Sequence, residues 1–211
     1  TTGYKAEKVL FEQYLQKPST VSAKPDPLSS VVQLGVFTDQ RSGAFEQTGN
    51  PLDFAIQGDG FFSVQTDAGT RYTRAGSFRL DESGQVVTQD GHPVLDASGT
   101  PLQLPTEGGN MVVSGDGQVA VNGAVVGQIG VVRFADPQAL VREGSGLYSS
   151  NAAATPADAT LVQGMVEGSN VQPVLEITRM MDVLRSFQAA QQMVESQHDL
   201  GMKAIDKIGK V

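Results

Sequence analysis

Cysteine is absent from these 211 residues. That excludes disulfide staples, thiol catalysis and zinc sites built on thiolates. Histidine occurs twice, at His92 and His198, so a histidine-rich metal centre is excluded as well. Tryptophan is missing and tyrosine scarce, which leaves no aromatic platform of the kind that holds sugars. Basic charge is also short: the net charge is -8 and the pI near 4.7. No basic stripe exists to neutralise phosphates, so nucleic acid is not expected as a partner. No apolar run reaches the length needed to cross a bilayer, so membrane insertion is not expected.

The motifs of catalysis are missing too. GDGQVAVNG at 115–123 has glycines but neither the Lys-Ser/Thr nor the strand-loop-helix setting of a phosphate loop, and it reads as turn geometry. Asp81, Asp90, Asp96 and Asp116 sit in turns without the clustered carboxylates and terminal Glu of a calcium loop. They are expected to cap backbone groups. No glycine-serine-glycine elbow accompanies His92, which is expected at the surface. The chain is therefore expected to be no enzyme and to bind no cofactor or metal.

Glycine, by contrast, is abundant at 24 residues. Between about Val36 and Tyr148 short apolar runs alternate with turn signals. Phe54–Gln57, Phe61–Gln65, Arg71–Thr73, Ser77–Leu80, Gln85–Thr88, Met111–Val113, Gln118–Val121 and Val125–Phe134 read as strands. Asp59-Gly60, Asp90-Gly91 and Asn122-Gly123 supply the positive φ angles of tight turns. Phe61 and Phe62, adjacent on one strand, are expected to point to opposite faces. The fold class read from this pattern is mainly β: an inserted all-β domain, sandwich-like or barrel-like, with a long C-terminal α-helix. The organisation is an N-terminal segment and Pro-rich arm over 1–35, a β-rich domain over 36–168 and the helix over 169–211. Residues 6–16 admit a short helix or an extended arm, and residues 17–30, with three prolines, read as a linker or irregular arm. Residues 149–168 read as an Ala- and Gly-rich return. Asn170 is the expected N-cap, with Pro173 in the first turn.

The C-terminal stretch carries the second pattern. No proline occurs between Val174 and Lys210, and good helix formers dominate. A continuous helix there would run roughly 55 Å at about 1.5 Å per residue. Ile177, Met180, Leu184, Phe187, Gln191, Val194, His198, Gly201, Ile205 and Ile208 fall at alternating steps of three and four. This is a heptad seam with weak positions at Gln191, His198 and Gly201. Asp182 to Arg185, Asp199 to Lys203 and Asp206 to Lys210 are spaced to pair along the helix, which is net neutral. Nothing else in the chain offers a long helix to cover the seam. Ile177, Met180, Leu184, Phe187, Val194, Ile205 and Ile208 are therefore expected to form an assembly interface with a partner outside it. Two classes follow: a β-rich binding module on a coiled-coil oligomerisation stalk, or a subunit of a helical assembly.

The run Thr48-Gly49-Asn50-Pro51-Leu52-Asp53-Phe54-Ala55-Ile56-Gln57-Gly58-Asp59-Gly60-Phe61-Phe62 resembles the central motif of the bacterial flagellar rod and hook proteins. Tyr72-Thr73-Arg74-Ala75-Gly76-Ser77-Phe78 and Gly91-His92-Pro93-Val94-Leu95 continue the resemblance. Thr1-Thr2-Gly3-Tyr4-Lys5 is similar to the end of that family's N-terminal motif, and Ser169-Asn170-Val171-Gln172-Pro173 to the start of its C-terminal helix. Within the family the likeness is greatest to the proximal rod proteins; distal rod and hook proteins usually carry more sequence in the middle. The resemblance implies a structural subunit of the basal-body rod, exported by the flagellar type III apparatus without a cleaved signal peptide and assembled in the periplasm. It implies self-assembly and contact with neighbouring rod subunits, proximal and distal. It also implies terminal helices that form the inner tube and transmit torque. The family carries a further N-terminal helix before the Thr-Gly-Tyr segment, which this sequence does not show and which is the natural partner for the seam.

Overall fold

The computed structural model describes the backbone of residues 1–16, 28–105 and 109–208, and the side chains of 1–10, 35–105 and 109–203. In chain order the strands are β1 (Glu7–Gln16), β2 (Leu28–Thr38), β3 (Phe45–Gln47), β4 (Phe54–Gln57), β5 (Phe61–Thr66) and β6 (Gly69–Thr73). Next come β7 (Phe78–Leu80), β8 (Val86–Thr88), β9 (Met111–Val113), β10 (Gln118–Val121), β11 (Ala124–Gln128) and β12 (Val131–Arg133). The last are β13 (Val141–Arg142), β14 (Leu147–Ser149), β15 (Thr155–Pro156), β16 (Thr160–Gln163) and β17 (Met165–Glu167), before the helix α1 (Pro173–Ile208). Two compact units result, Thr1–Asn170 and Val171–Val211.

The first unit is mainly β, and its strand pairings are antiparallel. Six strands in the order β13-β14-β6-β5-β12-β15 form the largest sheet; β11-β10-β9 form a smaller one, and the pairs β1-β2, β4-β16, β3-β17 and β7-β8 complete the set. These sheets are open, which corrects the barrel-like alternative. The chain spreads its pairings over short strands, two to six residues each outside β1 and β2, and no row of neighbours returns to its start.

Phe61 and Phe62 show how β5 organises the interior. Phe62 joins Phe54, Ile56, Val64, Phe78 and Val94 in the main core, and its ring meets Phe78 edge-on at 5.1 Å. Phe61 points the other way, into a smaller cluster with Phe134, Leu140 and Tyr148. The alternation expected for a pleated strand is thus realised, with both faces buried.

Turn chemistry follows the sequence closely. Asn122 at φ 52° and Gly123 at φ 84° give β10-β11 the two left-handed residues of a tight hairpin. The Asp81 Oδ1 accepts from the Ser83 and Gln85 amides, and the Asp96 Oδ1 from those of Ser98 and Thr100. These aspartates therefore act as caps, as expected. His92 is half-buried rather than fully at the surface, and its amide is held by the Thr88 hydroxyl. Gly76 is required for a different reason: a Cβ there would lie 1.8 Å from the Phe54 carbonyl oxygen.

One open local reading is settled and three change. Residues 7–16 take the extended alternative, because β1 pairs along its length with β2. Leu28 to Ser30 open β2, and residues 17–27 of the Pro-rich arm lie outside the described residues. The run from Val125 to Phe134 is two strands rather than one. It breaks at Ile129-Gly130, where the Gly130 amide turns to the Leu95 carbonyl and a Cβ would strike the Asp96 carbonyl. The Ala- and Gly-rich return holds β16 and β17, which pair with β4 and β3. Their signal is weak because each is only three or four residues long and Gly164 divides them.

Candidate assembly site

The helix spans 36 residues with Pro173 in its first turn. Proline is tolerated there because the first amides of a helix lack intrahelical acceptors. All described side chains from Gln172 to Lys203 are exposed. Ile177, Met180, Leu184, Phe187 and Val194 of the expected seam are all exposed, with Phe187 59% accessible. The side chains of Ile205 and Ile208 lie outside the described residues. Met181, Val183, Met193, Leu200 and Met202 are exposed as well and were not assigned to the seam. At 100° per residue, Met181 and Val183 flank Ile177 and Leu184 on either side, so the apolar arc is broader than one a/d stripe. Two shallow, mainly apolar hollows meet at Phe187, one lined by Met180, Met181, Val183 and Leu184 and the other by Ala190, Gln191, Val194 and Glu195. Asp182 and Arg185 approach to 4.0 Å, as their spacing predicts, and Glu176 and Arg179 pair at 2.5 Å, whereas Asp199 and Lys203 form no ion pair. Asp206 to Lys210 extends beyond the described residues. Among the described residues no helix is long and apolar enough to cross a membrane.

Within the β unit, a separate cluster of charged side chains gathers around Glu167. Glu167 closes β17 and is 1% exposed. Its Oε1 accepts from Lys5 Nζ at 2.6 Å and from the Gly43 amide at 2.9 Å; its Oε2 accepts from Arg74 Nε at 2.8 Å. Lys5 also donates to the Arg41 carbonyl. The remaining Arg74 nitrogens donate to the carbonyl of Ile56 in β4 and to those of Gly58 and Gly60 in the turn between β4 and β5. Burial pushes the Lys5 ammonium below its ordinary pKa, and the Glu167 carboxylate partly offsets this. A buried cation needs such partners, because an unpaired charge in a low-dielectric interior is strongly unfavourable. The triad therefore fastens residue 5 to residue 167 and both to Arg74, just past the end of β6.

Asn170 does not cap the helix. Its Oδ1 accepts from the Ala6 amide at 2.7 Å, and its Nδ2 donates to the carbonyls of Asp39 and Arg41. The Glu176 amide in the first turn donates to the carbonyl of Gln172, just before α1. Nearby, the Arg41 guanidinium holds the Asp39 carboxyl well below the usual carboxylate range. Backbone donation from Gln85 lowers Asp81, and the Arg71 guanidinium lowers Glu143. Each of these groups ionises more readily folded than unfolded. Their stabilisation is complete above the unfolded values of 3.8 and 4.5, and drains away as pH falls through and below them. The urea midpoint of the β unit is accordingly expected to be flat from about pH 7 to about pH 5 and to drop steadily towards about pH 3. A midpoint that does not move below about pH 4 would contradict these pairings.

Two family models match. The model described as the flagellar hook protein FlgE/F/G D1 domain covers residues 55–121, and the one described as the flagellar basal body rod FlgEFG protein C-terminal covers residues 162–206. A flagellar basal-body rod protein FlgF of Caulobacter vibrioides is 37% identical over 214 residues, covering 100% of this chain and 87% of the relative. FlgF of Mesorhizobium japonicum is also 37% identical, over 99% of this chain and 86% of the relative. FlgG of Bacillus subtilis is 32% identical over 95% and 85%. The β unit with its aspartate-capped turns, followed by a helix with an exposed apolar face, is thus the arrangement those matches span. The chain belongs to the flagellar hook and basal-body rod family, and is a structural basal-body rod protein, not an enzyme, most like FlgF.

Proposed function

We propose that the chain polymerises through its terminal segments and carries torque from motor to hook in the periplasmic part of the rod. The exposed apolar face of α1 supports this reading most directly. Fully burying one Val, Leu, Ile, Phe or Met is worth about 1.5–3 kcal/mol, so a face carrying Ile177, Met180, Leu184, Phe187 and Val194 strongly favours association with other helices. Ile177, Met180, Leu184, Phe187, Val194, Ile205 and Ile208 form the contact, coiled-coil fashion. The partners are further copies and neighbouring rod subunits, FlgG and the other proximal rod proteins among them. Delivery is by the flagellar type III export apparatus, without a cleaved signal peptide.

Sedimentation and electron microscopy of the full gene product test this against a stalk that merely oligomerises. Rod-type contacts are heterologous and do not close at a dimer, so particles should lengthen with concentration or on adding a neighbouring subunit. A small closed oligomer of fixed size would overturn the proposal.

A further inference from the structure

The segments that enter and leave the β unit lie side by side and run in the same direction. The Gly3 amide donates to the Glu167 carbonyl at 2.7 Å, and the Asn170 amide donates to the Tyr4 carbonyl at 3.3 Å. Ala6 then donates to the Asn170 side chain. Residues 3, 4 and 6 therefore meet 167 and 170 in ascending order on both sides. Beneath them the Lys5–Glu167–Arg74 triad is buried, with the three residues 1%, 1% and 4% exposed.

We infer that this junction is a shear clamp, which carries force between the two ends of the β unit past most of its sheets. The geometry dictates how it fails. A pull on the chain before Gly3 and after Asn170 draws two parallel segments past each other in opposite directions. The backbone bonds, the Asn170 contacts and the ion triad are then loaded together, and none gives way until all do. A pull from the same end of both segments would instead open them one at a time. The triad adds stiffness at the centre, because sliding by one residue would strip Glu167 of both cations in a site closed to water. Residues 39–43 brace the clamp from the side through Arg41, Gly43 and Asp39. Apart from Arg74, the residues from β3 to β16 lie outside the direct line of force while the clamp holds. This property belongs to the single subunit and stands whether or not the chain polymerises as proposed.

Single-molecule pulling on the full chain tests it, and the lack of native cysteine makes attachment straightforward. Handles at Thr1→Cys with Gln172→Cys load the clamp in shear. Handles at Lys8→Cys with Gln172→Cys load the same bonds from one end. Handles at Ala68→Cys with Ser98→Cys bypass it. The rupture force is expected to be higher for 1 with 172 than for 8 with 172. Asn170→Ala should lower the first and leave the force across 68 and 98 unchanged. Equal rupture forces for the first two geometries would overturn the clamp. So would an Asn170→Ala variant that weakens all three axes alike, since Asn170 would then serve general stability only.

Discussion

Glu167→Ala is expected to lose about 3–5 kcal/mol of β-unit stability, the usual cost of removing one partner from a buried ion pair. The size follows from what stays behind. Lys5 and Arg74 are both buried, and the carboxylate is the anion that each contacts in that site. Without it two cations face each other across a dry space, and the Gly43 amide loses its acceptor. For a unit of this size such a loss lowers the melting temperature by roughly 10 °C or more. Glu167→Gln keeps the shape and one acceptor oxygen, so it should fall between Ala and the parent. Chemical denaturation of the three proteins measures it. A loss under about 1 kcal/mol for Glu167→Ala would mean that water or another anion reaches the cations and that the triad is not closed.

Phe187→Asp should have the opposite profile, with no effect on the β unit and complete loss of assembly. Phe187 sits between Leu184 and Gln191, where the two apolar hollows of α1 meet, and is exposed in the single chain. Burying a large aromatic against a partner helix contributes roughly 2–3 kcal/mol per copy. An aspartate there adds the larger cost of an unpaired buried charge. Neither contribution arises in the isolated chain, so its thermal unfolding should barely move. In an assembly the penalty recurs at every subunit. A cell carrying the variant in place of the native gene should build no rod and be non-motile. Normal motility would show that assembly uses another face. A collapsed melting temperature would show that Phe187 supports the fold of its own chain.

The elements most legible in the sequence were those set by neighbours. Asn122-Gly123 and the capped turns at Asp81 and Asp96 depend on residues within four positions, and they appear where expected. The helix was legible because 3.6-residue periodicity and the lack of proline are local properties. The opposed rings of Phe61 and Phe62 follow from the pleat alone. The clamp was not legible. Lys5 and Glu167 are 162 positions apart, Arg74 and Glu167 are 93 apart, and nothing near any of them marks it as buried. Nothing local sets Glu167 apart from the other acids of an acidic chain. Asn170 looked like a cap because Asn before a proline-led helix usually is one, and the distant amide of Ala6 competed successfully for its oxygen. The split at Ile129-Gly130 was hidden for the same reason: it is imposed by the close approach of Asp96.

The two rings on β5 have a further consequence. Phe61 and Phe62 share one peptide bond yet seal separate cores, so any displacement of that strand moves both plugs at once. Neither core can be repacked by shifting β5 without disturbing the other. A change in size on one side must be absorbed by the side chains that face it, not by the backbone. An opening of either cluster that proceeds through displacement of β5 therefore unseats the other as well.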